Sequence, residues 1–409
     1  VQDDPTVKRR QELAQTVFTG QPDSQTGYMD SMAQYEQQYE MDILQELYNR
    51  QSDRAEDGTV RNDAWIQVED EADVACHYAA VYYVIDKKGD ISSVSYCDRD
   101  GNLVENEEGY AVKYFDSEVE AGRLIEREWY CDANGRPCLT ADGYMAVKTT
   151  YESRQDDGNK RIEYLDGSGH EMFSQKLGYA RIDYQCELED RRKTVYRRYF
   201  DQEGNSVRIP KQGYAEVRQY YNERNFLVWE AYYDEQGYKM RRADYGVAEI
   251  WYEYDDSGNL IRESYKDVDG GLVNRSDTGY AVVYRKFEDG QMVHCHYGGY
   301  QDGMFGQVAD KVTGVAGTVY MYDGGQKSRE EYYDAEGKLT LRSDLGCAVQ
   351  QFEYDDSGNK CAEYYYGTDR QPVLRLDMGY AAVKYQNDEE GKRNDVRFYG
   401  LDGLLTVSE

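Results

Sequence analysis

The sequence predicts an all-β protein: an elongated solenoid or superhelical array of about ten β-hairpin repeats, each of about 33 residues, with a short N-terminal α-helical cap. Three observations carry this prediction: a recurring Gly-Tyr-Ala motif, a recurring Asp-x-x-Gly turn, and an unusual abundance of tyrosine. The seven residues EYDDSGN occur at both 253–259 and 353–359, and we interpret this identity as part of the same repeat.

The composition suits a thin structure with few fully buried side chains. The 409 residues include 43 Tyr but only 9 Phe and 4 Trp, together with 38 Gly and 5 Pro. Tyrosine can bury its ring while its hydroxyl stays in water, so it fits a sheet whose side chains are half-buried. This aromatic content argues against a disordered chain, although the mean hydropathy is -0.92.

The Gly-Tyr-Ala motif sets the period. Complete copies begin at Gly109, Gly178, Gly213, Gly279 and Gly379, and related copies begin at His77, Gly143, Gly246, Gly314 and Gly346. A spacing of about 33 residues is typical of repeat proteins, in which a unit too small to bury its own core stacks on its neighbours.

Each unit is predicted to contain alternating strands joined by tight turns. Apolar residues recur at every second position, as in Ala248, Ile250 and Tyr252, so one face of the sheet is core and the other is wet. Asp at the first turn position and Gly at the fourth, as in 255–258, is typical of a type I turn closed by a left-handed glycine.

Residues 1–60 lie outside the period and are predicted to form a helical cap or stalk, followed by the repeat array over 61–409. Asp4 and Pro5 fit the start of a first helix, and a second helix is predicted from Asp30 to about Arg50. We expect this helix pair to cover the first repeat, with an oligomerisation helix or a stalk as the alternatives.

The net charge of the chain argues against some classes of binding partner. With 79 acidic and 48 basic residues the net charge is -31, which argues against nucleic acid and anionic membrane surfaces and favours solubility and divalent cations. No apolar run approaches the roughly 20 residues of a membrane span. Because the chain starts at Val1, we expect a processed or trimmed form whose missing N-terminus has room for a signal or an anchor.

Two parts of the unit resemble bacterial repeat families over roughly 77–409. The stretch YEYDDSGNLIRESY resembles the YD repeats of RHS-type surface and toxin shells. The stretches YYDEQGYKMRRADYG and YYDAEGKLTLRSDLG resemble the cell-wall-binding repeats of Gram-positive secreted proteins, which bind choline or glycans, although Tyr replaces their recurring Gly-Trp and the unit is longer. Tyr/Gly hairpin repeats of the MORN type are a looser relative. The resemblance implies a secreted or surface-displayed protein.

Four aromatic residues are the candidate ligand-binding residues: Trp129, Trp229, Tyr233 and Trp251. They are expected near sheet edges or at outward positions, where an aromatic face in a shallow groove suits a sugar ring. The alternative is that these rings stack across strands and only stabilise the array.

Metal and thiol chemistry have weaker candidates. The turns beginning at Asp98 and Asp267 resemble half of a calcium loop, but hairpin chemistry is the preferred interpretation. His294 and His296 share one face of a strand without a third ligand. Eight Cys form no Cys-x-x-Cys pair; Cys97 and Cys131 occupy the same phase of neighbouring units, as buried thiols or as a disulfide.

The unit containing 298–314 is the most irregular, and an irregular loop in a regular array is either a binding segment or an inserted spacer. No catalytic motif is present, so we predict a protein that is not an enzyme and needs no cofactor or metal. The predicted function is a secreted or cell-surface bacterial module that binds a glycan, a cell-wall polymer or a partner protein. The alternatives are a structural shell or spacer of the RHS type and, less favoured, a glycan-cleaving enzyme.

Overall fold

The computed structural model describes residues 63–67, 78, 80–85, 90–153, 158–388 and 391–408. All strand pairs in these ranges are antiparallel and none of these residues is helical, so the all-β prediction is confirmed for them. In this part of the chain no helix has the length and apolar character to span a bilayer. The helical cap predicted for 1–60 lies outside the described residues.

The chain divides into two compact units, Val1–Ser117 with Arg127–Ala141, and Glu118–Glu126 with Asp142–Glu409. In the first unit, strands β1 (Asp63–Gln67), β2 (Ala80–Ile85) and β3 (Ile91–Cys97) pair in chain order. Strands β4 (Val112–Glu120) and β5 (Arg123–Cys131) belong to this unit apart from residues 118–126. Strand β3 also pairs with β4, through Ser93 opposite Tyr114.

The second unit contains the remaining strands. They are β6 (Ala146–Tyr151), β7 (Lys160–Leu165), β8 (Arg181–Glu189), β9 (Arg192–Phe200), β10 (Glu216–Tyr221), β11 (Leu227–Tyr233), β12 (Glu249–Tyr254), β13 (Leu260–Lys266), β14 (Val282–Glu288), β15 (Gln291–Gln301), β16 (Met304–Gln307), β17 (Gly317–Asp323), β18 (Gln326–Tyr333), β19 (Val349–Tyr354), β20 (Lys360–Tyr366), β21 (Ala382–Asn387), β22 (Arg393–Tyr399) and β23 (Leu405–Ser408).

These strands form an open, uncurled sheet, which corrects the prediction of a solenoid or superhelical path. From β6 to β23 each strand pairs with the next one in the chain, except that β17 pairs with β15 instead of β16. The reason lies in the contact between hairpins: the second strand of one hairpin hydrogen-bonds sideways to the first strand of the next, as β11 does to β12. Lateral pairing extends a sheet, whereas a solenoid needs hairpins stacked face to face.

The Asp-x-x-Gly turns have the predicted geometry. At 255–258 the Gly258 amide donates to the Asp255 carbonyl at 3.1 Å, and Gly258 has a φ of 92°. The Asp255 carboxylate accepts the backbone amide of Asn259 at 2.9 Å. Aspartate therefore closes the turn from its side chain while glycine takes the left-handed conformation.

A short third segment follows each hairpin and packs on the corresponding segment of the previous one. The Ser276 amide donates to the Tyr245 carbonyl at 2.9 Å, in the same way as Leu376 donates to Leu345 at 2.8 Å. The glycine of the Gly-Tyr-Ala motif lies at this contact: a Cβ on Gly178 would come within 2.4 Å of the Pro210 ring. At Gly178 the next segment occupies the space of a side chain, and the φ of +81° also favours glycine there.

The core of the second unit lies on one face of its sheet, which we call the Tyr face. It carries the second-strand tyrosines Tyr164, Tyr199, Tyr232, Tyr265, Tyr332 and Tyr365. They stand opposite first-strand residues such as Val217 and Ile250, with which they form the buried clusters. The alternate residues point to the opposite face, which we call the Trp face because it carries Trp229 and Trp251.

Candidate functional site

Tyrosine rings form a continuous series of contacts on the Tyr face, in which second-strand tyrosines alternate with tyrosines of the Gly-Tyr-Ala motif. Ring centroids of Tyr164, Tyr179, Tyr199, Tyr214 and Tyr232 follow at 5.5, 5.0, 6.1 and 5.0 Å. Tilted and edge contacts at such distances stabilise aromatic pairs beyond the area that they bury. The recurrence of tyrosine once or twice per hairpin is therefore accounted for by packing on this face.

The buried tyrosine hydroxyls are held by a Glu-x-Tyr pattern that the sequence reading missed. Tyr232 donates to Glu230 at 2.6 Å, and Tyr365 donates to Glu363 at 2.9 Å. Burial acts to raise the pKa of Glu363, but hydrogen bonds from Tyr365 and the charge of Lys360 outweigh it, so its pKa lies below the usual 4.5. The recurrence of Glu two residues before the tyrosine was visible in the sequence.

An Arg-x-Asp pattern in the third segments covers the same rings, and it was also missed. Arg375 forms an ion pair with Asp377 at 2.7 Å and donates to the Tyr365 hydroxyl at 3.2 Å. Arg275 forms the corresponding pair with Asp277 at 2.6 Å. These arginines lie over the rings of Tyr265 and Tyr365, whereas Trp251 on the other face is 40% exposed.

On the Trp face the structure places three of the four predicted residues, and it brings two of them, Trp229 and Trp251, together. Trp229 and Trp251 stand directly opposite each other on β11 and β12, with ring centroids 6.3 Å apart at an interplanar angle of 61°. Tyr233 lies on the same face of β11, separated from Trp229 by the buried Ala231. We call the two indoles with Glu249 and Lys266 the Trp surface.

A single carboxylate fixes both indoles. Glu249 is only 5% exposed, and its Oε2 accepts the indole N–H of Trp251 at 2.7 Å and that of Trp229 at 3.3 Å. Its other oxygen forms an ion pair with Lys239, and the Lys266 ammonium lies 4.2 Å from the Trp251 ring centroid. Trp251 remains 40% exposed, so a held aromatic ring is presented to solvent beside charged groups.

Tyr233 is the least accessible of the predicted residues. It is 8% exposed, and the Arg218 guanidinium lies 3.8 Å from its ring centroid. Arg218 is in turn paired with Glu216, which also binds Arg198 at 2.7 Å. Burial raises the pKa of the Tyr233 hydroxyl. In this structure the ring supports a charged network beside the Trp surface rather than an open face.

Trp129 belongs to the first unit and is separate from the other three residues. Its indole stacks on Tyr114 with centroids 5.6 Å apart and an interplanar angle of 16°, and it is 37% exposed. This cross-strand stack fits the alternative role of these rings, which is to stabilise the array.

The aspartates proposed as half of a calcium loop serve as turn caps. Asp98 accepts the backbone amides of Asp100 and Asn102, both at 2.9 Å. The side-chain amide of Asn102 also donates to Asp98, and this bond, followed by the backbone bonds, lowers the pKa of Asp98. Asp267 accepts the Val268 amide at 2.7 Å and pairs with Arg241. Among the described residues, no group of three or more His, Cys, Asp or Glu is placed to hold a metal ion.

The two histidines stack on one face of β15, as their spacing predicts. The ring centroids of His294 and His296 are 5.0 Å apart, and Tyr284 stacks on His296 at 4.8 Å. Burial lowers the pKa of both imidazoles, and the charge of Lys286 lowers that of His294 further. The pair is therefore neutral near pH 7 and packs as aromatic rings.

The irregular segment 298–314 contains an extra hairpin formed by the end of β15 and by β16. Tyr300 stands opposite Phe305 with ring centroids 5.2 Å apart, and Met304 at the turn is 73% exposed. The extra hairpin replaces the second Asp-x-x-Gly turn of the other units.

Cys97 and Cys131 are buried free thiols of the first unit. Burial, followed by the charge of the adjacent aspartate, raises the pKa of each thiol, so both stay protonated and packed. Cys97 and Cys131 were predicted to be either buried thiols or a disulfide, and the structure shows buried thiols. Cys76 lies outside the described residues.

Comparison with known proteins found neither a matching family model nor a matching curated protein for this chain. The described residues form a repeat-like β-hairpin architecture that carries the Trp surface.

Proposed function

We propose that this protein is a secreted or cell-surface bacterial binding module that recognises a glycan, a cell-wall polymer or a partner protein, and that the Trp surface contributes to recognition. The observation that carries the proposal is the anchoring of Trp229 and Trp251 on Glu249. Holding both indole N–H groups on one buried carboxylate removes rotamer freedom before a ligand arrives, which favours binding.

A glycan fits this surface better than the other candidates. A sugar ring offers a flat apolar face that packs on an aromatic side chain, and hydroxyls that bond to neighbouring polar groups. The Trp251 ring is exposed beside Lys266, and the charged network of Glu216, Arg198 and Arg218 lies close to Tyr233 on the same face. No catalytic role is proposed for these residues.

We also propose that residues 61–409 contain about ten units of about 33 residues each, and that residues 1–60 form a helical cap or stalk. A binding surface repeated along such an array would gain affinity from several weak contacts with one polymer.

The proposal is tested by retention of the purified chain on a panel of insoluble polysaccharides and bacterial cell walls. We expect retention on at least one polymer and a loss of about tenfold in affinity for Trp229→Ala and for Trp251→Ala, because each removes one aromatic face. The matched control is Tyr238→Ala, which removes an exposed ring from a turn. Circular dichroism establishes that all three variants are folded.

The second candidate is a structural shell or spacer that presents another domain. It is favoured by the continuous tyrosine contacts of the Tyr face, which need no ligand to explain them. This candidate predicts no retention on any polymer. It also predicts that in the full-length protein the array adjoins a catalytic or toxin domain. Retention that is equal for Trp251→Ala and the parent chain would also reject the Trp surface.

A further inference from the structure

Three cations lie among tyrosine rings on the Tyr face of the second unit. Lys160 on β7, Arg197 on β9 and Lys193 on β9 point to this face, together with the rings of Tyr151, Tyr184 and Tyr221; we call these six residues the basic strip. Among the described residues, none of the three cations forms an ion pair. In a chain of net charge -31 with 79 acidic residues, three unpaired cations on one face require an explanation.

Four residues of the strip form a row of direct cross-strand neighbours, and Lys193 with Tyr221 forms a second pair further along β9 and β10. Tyr151 stands opposite Lys160, Lys160 opposite Tyr184, and Tyr184 opposite Arg197. The Lys160 ammonium lies 5.8 Å from the Tyr151 ring centroid and 5.1 Å from that of Tyr184. Lys193 lies 4.4 Å from the ring of Tyr221, its neighbour on β10. Cations and aromatic rings therefore alternate across the sheet.

Arg197 is a basic residue at a position of the repeat that is acidic in other units. Its position, two residues before the packed tyrosine of the second strand, is Glu in five other strands, where the carboxylate accepts that tyrosine's hydroxyl: Glu128, Glu230, Glu263, Glu330 and Glu363. Here the sequence is Arg197-Arg198-Tyr199. This hairpin keeps the packed tyrosine of the second strand, but the residue two positions before that tyrosine is positively instead of negatively charged.

The guanidinium of Arg197 is incompletely satisfied by the protein. Arg197 stands opposite Tyr184 on β8, and its Nε is buried without a hydrogen-bond partner. The acids beside the strip are already engaged: Glu126 accepts the Tyr151 hydroxyl at 3.0 Å, and Glu230 binds Gln219, Tyr232 and Tyr252. A half-buried cation without an acid is costly unless an anion from outside completes it.

We propose that the basic strip binds an anionic polysaccharide, with the cations on its carboxylate or sulfate groups and the tyrosine rings on its sugar faces. Strands lie about 4.8 Å apart, so Lys160 and Arg197, two strands apart, place positive charges about 10 Å from each other across the row. Arginine binds carboxylate or sulfate through two parallel N–H groups, and the alternating rings supply apolar contacts between acids. This site goes beyond the Trp surface and does not depend on it.

The overall charge sets the conditions under which the strip binds. At low salt the acidic chain repels any polyanion over long distances, whereas near 0.1 M salt the Debye length is about 10 Å and only the local cations are felt. Three contacts are too few for the strong non-specific binding of nucleic acid, which rests on many phosphate contacts. A polysaccharide whose acidic groups are separated by neutral parts of its sugar rings fits a strip with only three cations.

The test is retention of the full chain on polygalacturonate, which carries carboxylates, and on heparin, which carries sulfates, at 0.15 M salt. We expect retention on at least one of them and a loss of at least about tenfold in affinity for Arg197→Glu. This variant restores the residue of five other strands, so the carboxylate can accept the Tyr199 hydroxyl and the hairpin keeps its packing. Arg197→Gln gives the same readout if the acid variant is poorly folded.

Controls separate this site from others. Lys211→Glu, an exposed turn residue, makes the same change in net charge as Arg197→Glu and is expected to leave retention unchanged. Trp251→Ala is also expected to leave it unchanged, so the strip and the Trp surface fail or succeed independently. The inference is overturned by no retention on either polymer, by equal retention of Arg197→Glu, or by equal binding of single-stranded DNA or poly-glutamate.

Discussion

The Tyr face and the Trp face of the second unit are formed by alternate residues of the same strands, yet they vary differently from one hairpin to the next. On the Tyr face the same contacts recur, with Tyr232, Tyr265, Tyr332 and Tyr365 each buried and bonded to a glutamate. On the Trp face the indoles of Trp229 and Trp251 occur at one place only in the described part of this unit.

The difference shows which face the fold depends on. A side chain that contacts both neighbouring hairpins is constrained by both, so its identity is kept along the sheet. A side chain that faces solvent is constrained by its cross-strand neighbours alone. We therefore expect substitutions of the packed tyrosines of the Tyr face to cost stability, and substitutions of the exposed residues of the Trp face to cost little stability.

The largest expected effect is the removal of a packed tyrosine. Tyr265→Ala should lower the free energy of unfolding by about 3–5 kcal/mol, because it leaves a cavity in a fully buried site. Trp251→Ala, on the other face, should cost about 1 kcal/mol. Urea unfolding of both variants measures the difference, and equal losses would remove the distinction between the faces.

A glycine substitution tests the contact between third segments. Gly178→Ala should cost about 2–4 kcal/mol, because the new Cβ would meet the Pro210 ring at 2.4 Å and the φ of +81° strains any other residue. Gly237→Ala has a φ of +82° but nothing within 4 Å, so it should cost only about 1 kcal/mol. Thermal unfolding of the two variants separates crowding from backbone strain; identical melting temperatures would show that the segments do not pack closely.

The buried Glu-x-Tyr pairs predict a dependence on pH. Since the pKa of Glu363 is lowered in the folded protein, its contribution to stability is complete above its unfolded pKa and is lost as the pH falls below 4.5 through the folded value. Glu363→Gln should cost about 1 kcal/mol at pH 7 and lose this difference in acid. Unfolding measured from pH 7 to pH 3 checks this, and a constant difference would contradict it.

The smallest effect is expected on the Trp face. Lys266→Met removes the ammonium that lies 4.2 Å from the Trp251 ring while keeping most of the side-chain length. The loss should be about 0.5 kcal/mol at this partly exposed site, with a change in tryptophan fluorescence. A loss of more than 2 kcal/mol would place the Trp face in the stabilising core of the unit.

The strand and turn pattern was readable from the sequence because it depends on neighbours in the chain. Alternation at Ala248, Ile250 and Tyr252 places residues on one face by the geometry of a single strand. The turn at Asp255 and Gly258 is fixed within four residues. Such features need no knowledge of what packs against them.

The solenoid path and the site were less predictable because they depend on contacts between hairpins. Whether a hairpin pairs sideways or stacks face to face is decided by the registers of β11 with β12 and of β13 with β14, which no single hairpin specifies. The burial of Tyr233 beneath Arg218 likewise depends on a residue of β10. Arg197 was overlooked because its meaning comes from comparing the same position in other units.

The pairing of strands in chain order has a consequence for biosynthesis. Each hairpin of the second unit finds its partners in the segments just before and just after it, so loop closure is short and little entropy is lost before contacts form. A newly made hairpin can add to the sheet as it leaves the ribosome, with its predecessor as the template. The growing edge strand is then the species most exposed to aggregation, and the speed of translation sets how long it waits for its neighbour.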